Sequence, residues 1–571
     1  MTQPTANETR NCLKINAMLT FKKYWWQYLC VLIPVFVFWQ MLFTYAINVP
    51  WFDDVEVFPG ALVIWLKTDA WGGIKEMFRP NNEHRMLPGK LAGVLCYQLT
   101  GQLNMRWLAL AANLNLMGIL VLFWRVFRNL SLSPIYFLPL CLVVLHPQFY
   151  LASTWSITAW QHQSVLFWGF LTIYLLAKNT VKTFLLAVLT GFVTTFCMSN
   201  GLVFWVAGLV LIIIQKRYKN ILFWLAAAGV AGFFYFYKFN NAANTNGLAY
   251  FFEHPHESFF GFFTFFGGSF DFWQQSAIVK RAILPTFMGM LLVGFCGWWL
   301  VMFVVKNWKT SPTTEKAITT HYFLFGCLAF LLGNGFIIAL LRPQFGYYVM
   351  LVGNYKLYPA LLLAFGYLIY LSKPTPKVVR WPVILGCSIA FNVFSYVKFM
   401  PDVAQRRQML AASAYNQQHN DIGLAAQINS PFADYTSYQM RFLNARKAYQ
   451  YPLVFSDTAL NTPLEKQKLM PQVAVERVSK TDVVVSQPDF ENGNASYDAA
   501  YLVLRSATKT YVAATNQPYF AGRNPFRSPK GFTAKLLPKL YQPDDYQIGV
   551  LVVSGGGQTL FKTDQRVRVD F

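Results

Sequence analysis

Charge is scarce in this chain. Asp, Glu, Lys and Arg make up 13% of its 571 residues, about half the share of a soluble protein. That shortage excludes an ordinary water-soluble enzyme of this length. Cysteine is sparse too. All eight (Cys12, Cys30, Cys96, Cys141, Cys197, Cys296, Cys327 and Cys387) precede residue 400. Their scatter matches no zinc or redox spacing, so they read as small buried apolar side chains. The last 171 residues have none and cannot use an internal disulfide. There is no nucleophile elbow, Walker loop or dinucleotide fingerprint, and nothing supports ATP use. No internal repeat or low-complexity tract is present, and no cleavable signal is evident. Leu29 to Ile47 is apolar for too long and lacks a small-residue cleavage site, so it reads as a signal anchor.

What is abundant is apolar and aromatic. Hydrophobic residues reach 55%, with 53 Phe and 18 Trp, the composition of an integral membrane protein with aromatic interfacial belts. Crossing the hydrocarbon core takes roughly 17–25 mostly apolar residues. The pattern predicts eleven spans, at about 26–47, 105–125, 133–151, 158–177, 181–199, 201–215, 220–238, 282–305, 320–341, 354–371 and 381–398. Lys14, Lys22 and Lys23 precede the first. Arg125, Arg128, Lys178, Lys182, Lys216, Arg217, Lys219, Lys306, Lys309, Lys373, Lys377 and Arg380 follow the even-numbered ones. All fall on one side, which the positive-inside rule makes the cytoplasm, and the tail is then outside.

The net charge of +23 invites a nucleic-acid reading, but its distribution opposes one. Residues 1–400 hold 29 Lys and Arg against 11 Asp and Glu, and residues 401–571 hold 19 against 14. The excess lies between apolar spans, where it sets topology and meets anionic lipid. Of the eleven acids before residue 400, only Glu8 and Glu315 are expected in the cytoplasm. Asp53, Asp54, Glu56, Asp69, Glu76 and Glu83 share the first exterior loop, about 48–104. Glu253, Glu257 and Asp271 share another, about 239–280. Acids contribute little to topology, so this concentration needs another cause. The first loop also carries Lys67, Lys75, Arg79, Arg85 and Lys90, against the rule. Its apolar runs Ala61 to Leu66 and Leu87 to Leu99 are too short to span and read as interfacial helices. A loop at headgroup depth suits a polar-headed lipid.

Residues 401–455 read as a helical connector, with helices at Gln405 to Tyr415 and Tyr435 to Tyr449 and a break at Pro431. From 456 to 571 short strands are expected at 473–475, 483–485, 501–504, 510–513, 532–536, 546–553 and 567–569. Turn-rich pieces such as Glu491-Asn492-Gly493-Asn494 and Ser554-Gly555-Gly556-Gly557 separate them, a β-sandwich-like pattern. This region is either a glycan-binding module or a cap on the membrane domain.

Trp51-Phe52-Asp53-Asp54-Val55-Glu56 directly follows the first span. Charges at a membrane boundary are costly unless they face water, pair or bind something. Either aspartate can serve as the base that accepts a hydroxyl proton. A second acid nearby raises the pKa of one of them or holds a divalent cation such as Mg²⁺ or Mn²⁺. Glu83-His84-Arg85 reads as a polar wall of the same site, with His84 or Arg85 on a phosphate or sugar hydroxyl. Arg342 and Tyr355-Lys356 bracket an exterior turn and can clamp a phosphate. Gln161-His162-Gln163 reads as a cavity lining. Glu253-His254-Pro255-His256-Glu257 is too crowded for a tetrahedral metal and reads as a loop tip.

These residues resemble the GT-C superfamily of polytopic membrane glycosyltransferases, which take sugars from polyprenyl phosphates. Its members place a catalytic aspartate in the first exterior loop, shortly after span one, beside interfacial helices. Asp53 and Asp54 and the stretches through Lys90 match that arrangement. Arg342 with Tyr355-Lys356 resembles an Arg…Arg-Tyr signature of bacterial members, with Tyr-Lys in its place here. The resemblance covers about residues 1–400. It implies an integral protein of the bacterial inner membrane, N-terminus cytoplasmic and C-terminal domain extracytoplasmic. It also implies an inverting transferase: Asp53 or Asp54 deprotonates a hydroxyl of a glycan, lipid or protein acceptor, and Arg342, Lys356 or Arg85 neutralises the leaving phosphate. Glu56, Glu83, His84, His162 and Tyr355 complete the substrate site. The rivals are a polymerase of lipid-linked glycans, a transporter or flippase, and a non-catalytic glycan-binding or assembly protein.

Overall fold

The computed structural model describes residues 6–239, 246–273, 277–309, 314–373, 380–479, 482–490, 499–516, 530–554 and 557–569. The chain is mostly helical up to residue 461 and β-rich after it.

Among the described residues, seven helical stretches are long and apolar enough to cross a membrane: Tyr24–Tyr45, Met105–Arg128, Tyr218–Phe236, Ile278–Asn307, Glu315–Leu341, Gly353–Ser372 and Trp381–Asn420. They mark the chain as an integral membrane protein. The other four expected spans differ for identifiable reasons. Pro134–Phe149, Val181–Thr195 and Ser199–Ile214 are shorter apolar helices. At 1.5 Å per residue they fall below the roughly 30 Å hydrocarbon thickness. Ser156–Ala177 is long enough, but Gln161, His162 and Gln163 lower its hydropathy.

The chain zigzags between two polar layers. One layer is the first loop and what touches it. Asn48 accepts from the Met105 N–H (2.7 Å), Asp54 from that of Ile157, and Tyr235 donates to the Glu83 carbonyl (3.0 Å). The Leu87 N–H bonds the Phe196 carbonyl, and Arg342 pairs with Glu83. The opposite layer ties the other helix ends. Asn129 meets Thr320 (3.2 Å), Gln215 reaches the Leu176 carbonyl (3.1 Å), and Asn307 reaches that of Ile214 (3.1 Å). Between the layers lies one apolar core rich in Phe, including Phe123, Phe170, Phe323, Phe330 and Phe365. Two helices approach backbone to backbone there. A methyl group on Gly289 would strike the Phe263 carbonyl, so this contact needs glycine.

The first loop folds into helices Ala61–Lys67, Ala70–Phe78 and Leu87–Thr100. Asp69 caps the second by accepting from the Gly72 N–H (2.8 Å), and Gly101 ends the third with φ +74°. Trp71, Ile74 and Phe78 form an exposed stripe on one helix, and Leu91, Leu95 and Leu99 on another.

Two sequence expectations need correction. The last span and the first connector helix are one 40-residue helix, Trp381–Asn420, which runs through Pro401 and across the expected boundary at 400. The expected break falls at 421–430, and Pro431 itself opens the second helix. Ser430 caps helix Pro431–Ala445, and proline occupies its first position, where no N–H is needed. The crowded 253–257 run straddles a break between two helices: Glu253 ends Gly247–Glu253, His254 is the bend, and Pro255 opens Pro255–Phe266.

The tail holds β1 (Ala474–Ser479), β2 (Asp482–Gln487), β3 (Ala499–Arg505), β4 (Thr510–Ala514), β5 (Phe532–Leu536), β6 (Asp544–Ser554) and β7 (Gly557–Val569). All seven expected strands occur. The last is longer than expected because it pairs with β6 along most of its length. Antiparallel sheets of order β1-β2-β5 and β4-β3-β6-β7 share one core, with Val483, Val485 and Phe532 from one and Leu502, Ile548 and Val550 from the other. The expected turns at 491–494 and 555–556 lie outside the described residues. A further core joins tail to first loop: Val55, Val57, Phe58 and Leu62 cluster with Leu410, Tyr415, Leu443, Tyr501 and Leu551. The tail therefore caps the loop that carries the acids.

Candidate functional site

Asp53 sits at a distorted point of the chain. Phe52 before it has φ +48°, a left-handed conformation that a bulky side chain adopts only under constraint. The constraint comes from both sides. The Phe52 N–H reaches the Leu424 carbonyl of the connector (3.4 Å), and Phe52 packs edge-on against Phe432. A single π-helical turn, Glu56–Gly60, follows. Such turns recur at functional sites. The turn packs closely on the connector: a β-carbon on Gly60 would meet the Tyr435 hydroxyl of helix Pro431–Ala445.

The two aspartates then part. Asp54 points inward and is 1% exposed. It accepts from the backbone N–H of Trp51 (3.0 Å) and of Ile157 (2.9 Å). Burial pushes its carboxyl up to about 7, against those two hydrogen bonds and the charge of Arg406. Asp53 faces a polar cavity of about 250 Å³. Burial, then the charges of Glu56 and Glu83, push its carboxyl up to about 6. That places it where a general base works best near neutral pH.

The cavity gathers seven of the ten residues expected from sequence: Asp53, Glu56, Glu83, His84, His162, Arg342 and Tyr355. His84 is held well below its usual range, at about 4, chiefly by burial. Burial works to raise the Glu83 carboxyl, but His84 and the ion pair with Arg342 outweigh it and the net shift is downward. His162 Nδ1 contacts the Tyr358 hydroxyl at 3.1 Å, and its ring packs edge-on to Tyr355.

The other three lie elsewhere. Asp54 backs the loop as described. The Arg85 guanidinium is taken up by three backbone carbonyls, of Phe78, Tyr235 and Tyr237. Lys356 turns away from Tyr355 and pairs with Asp271 (2.8 Å), which also receives both nitrogens of a bidentate Arg281.

Several lining residues carried little sequence signal. Asn81 and Asn354 each present a buried side-chain oxygen with no partner among the described residues. Trp155, Met86 and Met198 also line the cavity; as apolar residues among many they gave no signal. Among the described residues no three His, Cys, Asp or Glu side chains converge to hold a metal ion.

A second recess, of about 380 Å³, opens from the same place. It shares Glu83 and Arg342 with the polar cavity. Otherwise it is mostly apolar, lined by Leu202, Val203, Phe236, Ile337, Ile338 and Leu341 among others. The Glu83–Arg342 pair thus stands at the junction of a polar chamber and an apolar groove. No protein-family model matches the chain, and neither a curated protein nor a solved structure matches it.

Proposed function

We propose that this protein is an inverting glycosyltransferase that takes a sugar from a polyprenyl-phosphate donor and joins it to a hydroxyl of a glycan, lipid or protein acceptor. The carrying observation is the junction at Arg342: the cavity of Asp53 on one side, an apolar groove on the other. A polyprenyl chain fits the groove, its phosphate meets Arg342, and the sugar occupies the chamber. Glu83 yields or shares the guanidinium when phosphate arrives. The unpartnered oxygens of Asn81 and Asn354 accept from sugar hydroxyls, since a buried acceptor gains by being satisfied.

Asp53 is the base in this reading, because Asp54 is enclosed by backbone donors. It takes the proton of the acceptor hydroxyl as the oxygen attacks the anomeric carbon. The bond from that carbon to the phosphate oxygen breaks, and the charge on the departing polyprenyl phosphate is neutralised by Arg342. A single displacement inverts the anomeric configuration. Asp53 then returns its proton to solvent.

The same reading makes all eleven segments membrane crossings, with the N-terminus cytoplasmic and the tail outside, in a bacterial inner membrane. Its support is the alternation of the chain between two layers and the run of Lys and Arg on one of them. Shorter helices then sit where the bilayer thins or at helix ends. The striped helices of the first loop lie in the interface, and the tail is a β-sandwich cap.

The test is turnover by the purified protein in lipid nanodiscs on a panel of polyprenyl-phosphate sugars with added acceptor lipids and glycans. Release of polyprenyl phosphate together with a new inverted glycosidic bond is expected. Movement of intact lipid-linked sugar across the bilayer without bond cleavage would replace this reading with transport.

A further inference from the structure

Away from the cavity, a second group of charges is left out of the proposed chemistry. Asp271 is 2% exposed and receives Lys356 and Arg281 together. Lys356 and Lys398 both act on the nearby Asp402. Lys280, next to Arg281, is exposed, and among the described residues no carboxylate pairs with it. Three cations (Lys280, Arg281 and Lys356) therefore stand around the single carboxylate of Asp271. This surplus lies on the tail side, where positive-inside placement does not call for it.

The surplus borders a recess of about 370 Å³ whose walls are Asp271, Trp273, Lys280 and Arg281 and whose floor is Ile283, Leu284 and Pro285. Two features give its occupant a lipid character. Trp273 is 60% exposed beside the cations, the setting of a headgroup-level indole. Helix Ile278–Lys309 leads away from the recess with only 17% of its apolar window buried in the protein, and Val279, Ile283 and Leu284 are exposed at its start. An anion in the recess would continue directly into apolar chains along that helix. A free anion would not need this surface.

We propose that the recess of Trp273, Lys280 and Arg281 binds the headgroup of an anionic phospholipid, in the leaflet facing the tail. Its phosphate lies against Lys280 and the outer edge of Arg281, and its acyl chains follow helix Ile278–Lys309. The site is separate from the Asp53 cavity and does not depend on the transferase reading. Tyr355 lines that cavity, whereas Lys356 belongs to this cluster.

The test uses the full chain in nanodiscs with phosphatidylglycerol or phosphatidylcholine brominated on the acyl chains, reading tryptophan quenching. Brominated phosphatidylglycerol is expected to quench more strongly, and Trp273→Phe to remove the difference. Lys280→Ala, which leaves the Arg281–Asp271 pair intact, is expected to reduce the preference about fivefold. Lys75→Ala, a distant exposed lysine, leaves it unchanged. Equal quenching by both lipids, or a difference that survives Trp273→Phe, would overturn the proposal. Displacement of the brominated lipid by inorganic phosphate would assign the recess to a free anion and overturn it as well.

Discussion

Asp54 holds Ile157 by a 2.9 Å hydrogen bond from the backbone N–H to its carboxylate, and so ties the first loop to the start of helix Ser156–Ala177. Its other oxygen holds Trp51 in the same way. Asp54 thereby fixes the segment on which Asp53 stands, and adjacent, chemically identical residues acquire different work.

Replacement separates the two. Asp54→Asn keeps one acceptor but turns an N–H donor toward a backbone N–H, so a loss of about 1–3 kcal/mol is expected. Asp53→Asn removes a carboxylate that burial and two acidic neighbours disfavour, so stability near neutral pH should be kept or raised. Thermal denaturation in matched nanodiscs distinguishes them.

The pH dependence has a defined sign. A base must be ionised, so kcat/KM should rise with pH through about 6, where Asp53 loses its proton. Glu83→Gln removes a neighbouring negative charge and frees Arg342. Both effects lower the Asp53 pKa, and the acid limb should move to lower pH by on the order of one unit. A pH–rate profile of the two proteins checks this.

Stability should run the other way with pH. Asp54 is raised in the folded state to about 7, against an unfolded carboxyl near ~3.9. Folding therefore favours its protonated form. Its contribution is fully present below the unfolded value and is lost as pH rises through the folded one. Asp54→Asn should flatten that dependence in a denaturation series between the two values.

Much of the site was legible because charge is so rare in this chain. Asp53, Glu83 and Arg342 stood out against an apolar background, and the cavity joins them. The roles of Arg85 and Lys356 were not legible. Whether a guanidinium meets a phosphate or three carbonyls depends on where Tyr235 and Tyr237 fall, 150 and 152 residues away. Lys356 differs from Tyr355 by one position, which turns it to a different face and to Asp271. In the fold, apolar length located the helices, but proline alone does not say whether a helix starts or continues. Pro431 starts a helix and Pro401 lies inside one, because caps and packing decide which.

Arg85→Ala should damage the fold rather than binding. It leaves the carbonyls of Phe78, Tyr235 and Tyr237 without their donor, at a cost of about 3 kcal/mol or more. Donor affinity per folded molecule should be unchanged. Arg342→Lys should do the reverse: melting little altered, and KM for the donor raised about tenfold or more, because ammonium cannot grip phosphate bidentately.

The coupling of connector to loop should be readable at the Gly60–Tyr435 contact. Gly60→Ala places a methyl group against the Tyr435 hydroxyl and should cost about 1–3 kcal/mol. Tyr435→Phe removes the obstructing oxygen, so the double variant should recover most of the loss in a double-mutant cycle.

The most direct measurement is release of polyprenyl phosphate from the active donor by wild type, Asp53→Asn and Asp54→Asn, with donor binding measured in parallel. Asp53→Asn should bind donor normally and lose turnover by about 10²–10⁴-fold, while Asp54→Asn loses turnover only in proportion to its loss of folded protein. Undiminished turnover by folded Asp53→Asn would contradict the assignment of the base and, with it, the account of this cavity.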